Sequence, residues 1–303
     1  MTTRNRIKSI VILGPTASGK SSVAIKLAQK FNGEIISADS RQIYKRMEIG
    51  SGRITPEEEK IVPHHLLGIL NPETEFSVIK FKEEAEKKIQ EISERNRLPI
   101  ICGGTGFWIQ ALVDNSAYPQ VKPDWQLRKK LEKESLENLL NKLKKVDPQR
   151  AKTVDIKNKV RLIRALEICQ SLGKVPDNKK LKNNTKYSFL QIGIAREKEE
   201  LHQRIKFNVK KRFDLGMIEE VENLKKQGLS WNKIMSFGLS YKSIPQYLNG
   251  EIKTQEELIE KIYLAEKNYA KRQMTWFKKD KRIKWLNNYE DIEIDVEKFL
   301  YTR

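Results

Sequence analysis

The octet Gly14-Pro15-Thr16-Ala17-Ser18-Gly19-Lys20-Ser21 fits the spacing G-x-x-x-x-G-K-[ST] of a phosphate-cradling loop. Glycines there permit the tight turn that aims backbone N–H groups inward. The positive end of the following helix and the Lys20 ammonium add charge, and Ser21 is placed to hold a magnesium ion bridging two phosphates. All eight positions are therefore candidates for binding a ligand with at least two phosphates. The motif leaves open whether that ligand is hydrolysed, transferred or merely held.

Other segments with chemical potential follow apolar runs. Asp39-Ser40-Arg41-Gln42-Ile43-Tyr44 comes after Ile35-Ile36. Loops at the carboxyl ends of neighbouring parallel strands share one crevice, so Asp39 is expected near the phosphate loop. A carboxylate there can organise magnesium, cap the next helix or serve as a general base. Gly103-Gly104-Thr105-Gly106 follows Leu98–Cys102 and opens onto the same crevice, where three glycines suit close approach to a ligand or a plain turn. His64 and His65 are adjacent, and neighbours on a strand point to opposite faces, which favours hydrogen bonding over metal ligation. Tyr269–Phe277 mixes Lys271, Arg272, Gln273 and Trp276, a combination that suits unpaired RNA but also fits the core face of a helix.

The elements that must position these residues are legible as alternation. Short apolar runs at Ile10–Leu13, Ile35–Ile36, Leu66–Leu70, Leu98–Cys102 and Leu190–Ile194 alternate with helical patterns such as Val23–Lys30 and Phe81–Ile92. That alternation predicts an α/β fold, a parallel sheet flanked by helices. From Gln120 to Lys186 the periodicity is helical only, clearest over Leu127–Leu143 and over Lys159–Leu172, which Gly173 stops. This stretch reads as a helical insertion over 119–186 between core segments 1–118 and 187–303. Pro176–Lys186 reads as a mobile link. After Leu190–Ile194, His202–Gly228 gives one long helix or two shorter ones, and Thr254-Gln255-Glu256-Glu257 resembles a capping box for a helix ending near Phe277.

Charge points to a polyanion. Across 303 residues, 59 Lys and Arg face 40 Asp and Glu, a formal net charge of +19. Residues 120–186 alone carry 19 Lys and Arg against 8 Asp and Glu. Cys102 and Cys169 sit far apart in apolar settings, as buried reduced thiols do. No long apolar stretch suggests a membrane span or a signal peptide, and the cytoplasm is the expected location.

Taken in order, the motifs resemble the tRNA dimethylallyltransferase (IPP transferase) family. The resemblance rests on G-P-T-A-S-G-K-S at 14–21, D-S-R-Q-I-Y-K at 39–45, P-H-H-L at 63–66, F-S-V at 76–78 and G-G-T-G at 103–106. It continues with R-L-I-R-A-L-E at 161–167, L-H-Q-R-I at 201–205 and A-K-R-Q-M-T-W-F at 270–277. It implies a P-loop NTPase-like fold and transfer of a dimethylallyl group from dimethylallyl diphosphate to N6 of the adenosine adjacent to the tRNA anticodon. In that chemistry Lys20, Arg204 and magnesium at Ser21 would stabilise the departing diphosphate, Asp39 would accept the N6 proton, and Thr105 would help place substrate. Contacts with tRNA are implied for Asp39, Ser40, Arg41, Gln42, Thr105 and Arg128. They are implied also for Val160, Arg161, Leu162, Ile163 and Arg164, and for Lys271, Arg272, Gln273, Trp276 and Lys278. The family's further arginine is replaced by Asn208, with Arg212 one turn on, so either Arg204 or Arg212 could meet the diphosphate. A monomer is the expected state. A P-loop kinase and a nucleic-acid-stimulated ATPase share the loop, but the first does not need the basic insertion and the second leaves Thr105 without a role.

Overall fold

The computed structural model describes residues 6–176 and 186–302. These residues fall into two compact units, one within Met1–Asp114 and Asn184–Arg303, the other within Asn115–Asn183. Among them the strands are β1 (Ile7–Leu13), β2 (Gly33–Ser37), β3 (His64–His65), β4 (Leu98–Gly103), β5 (Tyr187–Ile194) and β6 (Lys284–Leu286). The first four helices are α1 (Lys20–Lys30), α2 (Pro56–Ile61), α3 (Val78–Glu94) and α4 (Gly106–Val113). Helices α5 (Trp125–Leu131), α6 (Leu136–Val146), α7 (Pro148–Thr153) and α8 (Lys159–Leu172) belong to the second unit. The chain returns to the first with α9 (Lys198–Asp214), α10 (Met217–Lys226), α11 (Trp231–Ser236), α12 (Ser240–Leu248), α13 (Gln255–Phe277) and α14 (Tyr289–Tyr301).

The strands form one sheet in the order β3-β2-β4-β1-β5-β6, every neighbouring pair parallel. This is the expected sheet with helices on both faces. Strand β1 lies inside it and is buried from both sides. Val11 and Leu13 pack on the face covered by α3, α4 and α13, while Ile10 and Ile12 pack on the face covered by α1 and α14. Burial on both faces explains why its sequence is a continuous apolar run and does not alternate.

Several boundaries differ from the sequence reading. β1 begins at Ile7, because Lys8 is tied by its ammonium to the carbonyls of Leu300 and Thr302 at 2.8 and 3.0 Å. Leu66–Leu70 is not a strand: Leu66 and Gly68 have φ of +58° and +59°, which breaks the extended run, so ladder pairing stops at His65 and only an isolated bridge from Leu70 to Tyr44 follows. Leu127–Leu143 is two helices, since Ser135 accepts from the Asn138 N–H and starts α6 afresh. Lys159–Leu172 is one helix, closed by Gly173 at φ +78°. His202–Gly228 falls within α9 and α10, separated at Gly216. Thr254 caps α13 from its hydroxyl to the Glu257 N–H, but the Glu257 carboxylate returns to the Lys253 N–H in place of Thr254's. Most of Pro176–Lys186, residues 177–185, lies outside the described residues.

The second unit has its own apolar core, which includes Leu131, Leu139, Leu143, Leu162 and Leu166. Beside it Glu167, 1 % exposed, receives both nitrogens of a bidentate Arg128 fork at 2.8 Å, the Asp124 N–H at 2.7 Å and a contact from Arg164. Burial alone would raise the Glu167 carboxyl; these donors outweigh it and hold the group below its ordinary value. A depressed carboxyl contributes stability that is present above its unfolded value and lost as pH falls through the folded one. Glu167→Gln is expected to destabilise this unit by about 3 kcal/mol, because it leaves two guanidiniums without their anion. Hydrogen exchange of the α8 amides would report it, and unaltered protection would refute the anchoring role.

Candidate active site

The phosphate loop joins β1 to α1. Its turn needs Gly19 at φ +92°, a backbone state that a side chain rarely adopts. Lys20 Nζ reaches back to the Pro15 carbonyl at 3.4 Å. Outside the loop, two guanidiniums grip successive carbonyls: Arg204 Nε donates to Ala17 at 2.8 Å and Arg196 Nε to Ser18 at 3.1 Å. Arg212 lies elsewhere, its fork donating to Gly50 O at 3.1 Å and to Glu266 at 2.5 Å.

Across the carboxyl end of the sheet, one cavity is lined by Lys20, Ser21, Ser37, Asp39, Gln42, His64, Cys102 and Gly103. Asp39 caps its own turn, with Oδ1 accepting from the Arg41 N–H at 3.0 Å. No helix starts there, so the helix-cap reading of Asp39 is replaced by a turn cap. The Ser40 N–H donates to Thr105 Oγ1 at 3.0 Å, so Thr105 pins the Asp39 loop to the end of β4. His64 and His65 do point apart: His65 Nε2 lies 2.6 Å from Glu34, whereas His64 Nδ1 lies 2.8 Å from the Val62 carbonyl. Burial pushes His64 below its ordinary value.

Among the described residues no group of three or more His, Cys, Asp or Glu side chains could hold a metal. The donors that line the cavity nevertheless suit a hard ion. Ser21 and Asp39 offer oxygen, and burial pushes the adjacent Cys102 thiol up to about 11, so it stays S–H and supplies no soft thiolate. Magnesium commonly takes one or two protein oxygens and completes its shell with phosphates and water.

The close approach that the glycines allow is made to the protein itself. A Cβ at Gly103 would lie 2.2 Å from the Ala38 carbonyl oxygen, and one at Gly104 would lie 2.3 Å from Gln273 Nε2. Gln273 is buried, and its amide is used at both ends: Nε2 donates to the Gly104 carbonyl at 2.8 Å and Oε1 accepts the Thr16 N–H at 2.9 Å. One side chain of α13 thus bolts the phosphate loop to the G-G-T-G loop. Tyr269, one turn earlier, is flanked by the Arg41 and Arg272 guanidiniums at 5.0 and 5.6 Å from its ring centre. Burial raises the Tyr269 hydroxyl, with Asp39 adding to the effect and contacts to Arg41 and Thr105 opposing it. Trp276 meets the exposed Phe107 edge-on at 6.2 Å.

The residues implied for RNA contact divide by exposure. Asp39 and Gln42 line the cavity, with Ser40, Arg41 and Thr105 on the loops that hold Asp39, and Lys271, Arg272, Trp276 and Lys278 lie along α13 and just past its end. In the second unit Val160 is 74 % exposed, and Arg161 is turned outward. Leu162 and Ile163 are core residues of that unit, so their side chains are no surface for RNA; this corrects the block 160–164. Arg128 and Arg164 are partly occupied by Glu167. Sequence reasoning passed over Arg196. The spacing Arg196, Glu200, Arg204 was the available signal for it.

The IPP transferase family model matches residues 42–280. A tRNA dimethylallyltransferase of Acetivibrio thermocellus is 43 % identical over 288 residues, covering 93 % of this chain and 92 % of its own. That of Clostridioides difficile is 40 % identical, with 98 % of each chain covered. Among solved structures, the tRNA isopentenylpyrophosphate transferase of Bacillus halodurans superposes with a TM-score of 0.72 at 34 % identity, covering 97 % of this chain and 96 % of that one. A eukaryotic dimethylallyltransferase acting on tRNA gives a TM-score of 0.83 at 26 % identity, over 99 % of this chain and 80 % of that one.

Gln273→Glu replaces the Nε2 donor with a carboxylate oxygen facing the Gly104 carbonyl. Losing that bond and gaining repulsion is expected to weaken binding of inorganic diphosphate about tenfold by calorimetry. Wild-type affinity in this variant would show that the two loops hold their places without the bolt.

Proposed function

This chain belongs to the IPP transferase family, and we propose how its residues carry out dimethylallyl transfer to tRNA. The reaction joins C1 of the dimethylallyl group to the exocyclic N6 of an adenine next to the anticodon. It breaks the bond from C1 to the diphosphate oxygen and releases N6-(dimethylallyl)adenosine and diphosphate. The observation that carries the assignment of roles is the sharing of one cavity by Lys20, Ser21 and Asp39 at the ends of β1 and β2.

Charge grows on the diphosphate as the C1–O bond breaks. N–H groups where the loop enters α1, the Lys20 ammonium and Arg204 would stabilise it there, and Ser21 would hold magnesium, which supplies further neutralising charge when bound. Adenine N6 is a weak nucleophile because its lone pair is delocalised into the ring. Asp39 would take its proton as the N–C bond forms. The Ser40–Thr105 hydrogen bond and the Asx turn at Arg41 fix the backbone that presents this carboxylate.

The base must leave its stack to enter such a cavity, which costs least in a loop. Arg41, Tyr269, Arg272 and the Phe107–Trp276 pair offer cationic and aromatic faces for unstacked bases. The basic second unit, with Arg128, Val160, Arg161 and Arg164, would contact the tRNA through its phosphates. A kinase reading leaves this concentration of charge unexplained. No described helix is long and apolar enough to cross a membrane.

Incubation with tRNA, magnesium and labelled dimethylallyl diphosphate should label the tRNA; label arriving only from ATP would overturn the reading. Asp39→Asn is expected to lower kcat at least about 100-fold while tRNA affinity stays within a few-fold. An unimpaired rate would remove Asp39 from the base role. Affinity for tRNA should fall steeply between low and moderate salt, as expected where several phosphates are neutralised, and a flat salt profile would contradict the role given to the second unit.

A further inference from the structure

We propose that Arg196 is a second diphosphate-binding arginine, forming with Arg204 a two-guanidinium seat for the leaving group. The inference rests on the reading of the Gly14–Ser21 loop as the dimethylallyl diphosphate site. It adds a residue to that site which neither the motif nor the resemblance singles out.

The position of Arg196 is fixed by the sheet. β5 pairs with β1 so that Gly193 lies opposite Leu13, and the two strands therefore end side by side. A Cβ on Gly14 would come within 3.2 Å of the Ile194 carbonyl oxygen, so the chain leaving β5 runs against the start of the phosphate loop. Arg196 is two residues further on. Arg204 approaches the same loop from α9. Their Nε atoms bond to Ser18 O and Ala17 O, and their Nη2 atoms converge: each would stand 3.6 Å from a Cβ placed on Gly19. Gly19 is the N-cap of α1, where unpaired N–H groups and the helix dipole favour an anion.

Two guanidiniums brought together repel unless an anion lies between them. Here the anion is Glu200, whose Oε1 is 3.4 Å from Arg196 Nη1 and 3.8 Å from Arg204 Nη1. Both distances are long for an ion pair, and the carboxylate is 43 % exposed, so its hold is weak. A diphosphate carries more charge and more acceptor oxygens, and guanidinium forks match phosphate geometry. Glu200 thus serves as a placeholder that keeps both arginines aimed at the loop and yields them to the diphosphate. When the C1–O bond breaks and its electron pair passes to the leaving oxygen, both forks face the charge that develops.

The test measures inorganic diphosphate binding to the full chain by calorimetry, with magnesium present, alongside prenyl transfer to tRNA. Arg196→Ala should weaken diphosphate about tenfold, flatten its salt dependence and leave tRNA affinity unchanged, with Arg196→Lys recovering part of the loss. Glu200→Gln gives the discriminating sign. Removing a placeholder should tighten diphosphate a few-fold, and that gain should vanish in the Arg196→Ala background. A merely loop-supporting ladder predicts weaker binding in Glu200→Gln. Unchanged affinity in Arg196→Ala, or weakened affinity in Glu200→Gln, overturns the proposal while wild-type prenyl transfer still stands. Failure of the wild type to transfer the prenyl group would instead overturn the reading beneath it.

Discussion

The short turn that joins β1 to α1 is held in its shape by side chains from distant parts of the chain, and much of the surrounding structure serves to hold it. The turn between β1 and α1 contains a left-handed alanine, Ala17 at φ +62°, as well as Gly19, so it is not a conformation the chain would keep unaided. Its carbonyls at Ala17 and Ser18 are taken by Arg204 and Arg196. Its Thr16 N–H is taken by Gln273. These supports come from sequence positions more than 170 residues away, so the loop is competent only once the sheet and α9 and α13 are assembled.

α13 links the two halves of the chemistry. Tyr269, Gln273 and Trp276 are spaced four and then three residues apart and share one face of the helix. Gln273 touches the phosphate loop and the G-G-T-G loop, and Tyr269 lies between arginines beside the Asp39 turn. On the proposed reading, the leaving-group side and the nucleophile side are therefore both held by this one helix. The proposed transfer needs the two sides held in register, and a single helix face supplies that more directly than two independent loops would.

Much of this was legible in the sequence because its signals are local. The phosphate loop, the continuous apolar runs at Ile10–Leu13 and Leu98–Cys102, and the Lys159–Leu172 helix with its glycine stop need only neighbours to be recognised. What escaped depends on distant partners. Lys8 looks wrong for a strand until Leu300 and Thr302 are seen to receive its ammonium. The three-residue strand β6 is too short to announce itself, and exists because β5 offers it an edge. The G-G-T-G segment reads as space for a ligand or as a plain turn, whereas its first two glycines make room for Ala38 and Gln273. Gln273 fits either an RNA contact or the core face of its helix in the sequence, and its buried amide decides for the core face.

The same distinction governs the basic unit. Formal charge there overstates what is available to a polyanion, since Glu167 engages Arg128 and Arg164 while remaining nearly inaccessible to water itself. Pinning is not the same as neutralising. Arg128 donates Nε and one Nη to Glu167, and Arg164 divides its fork between Glu167 and the Val121 carbonyl, with both side chains still partly exposed. A single buried carboxylate cancels one of two positive charges and fixes the direction of both. An arginine oriented in advance loses less rotamer entropy when a phosphate arrives than a free lysine does. Glu167 and Glu200 are thus one device at different depths: the buried one holds its arginines permanently, and the exposed one holds them loosely enough to let go.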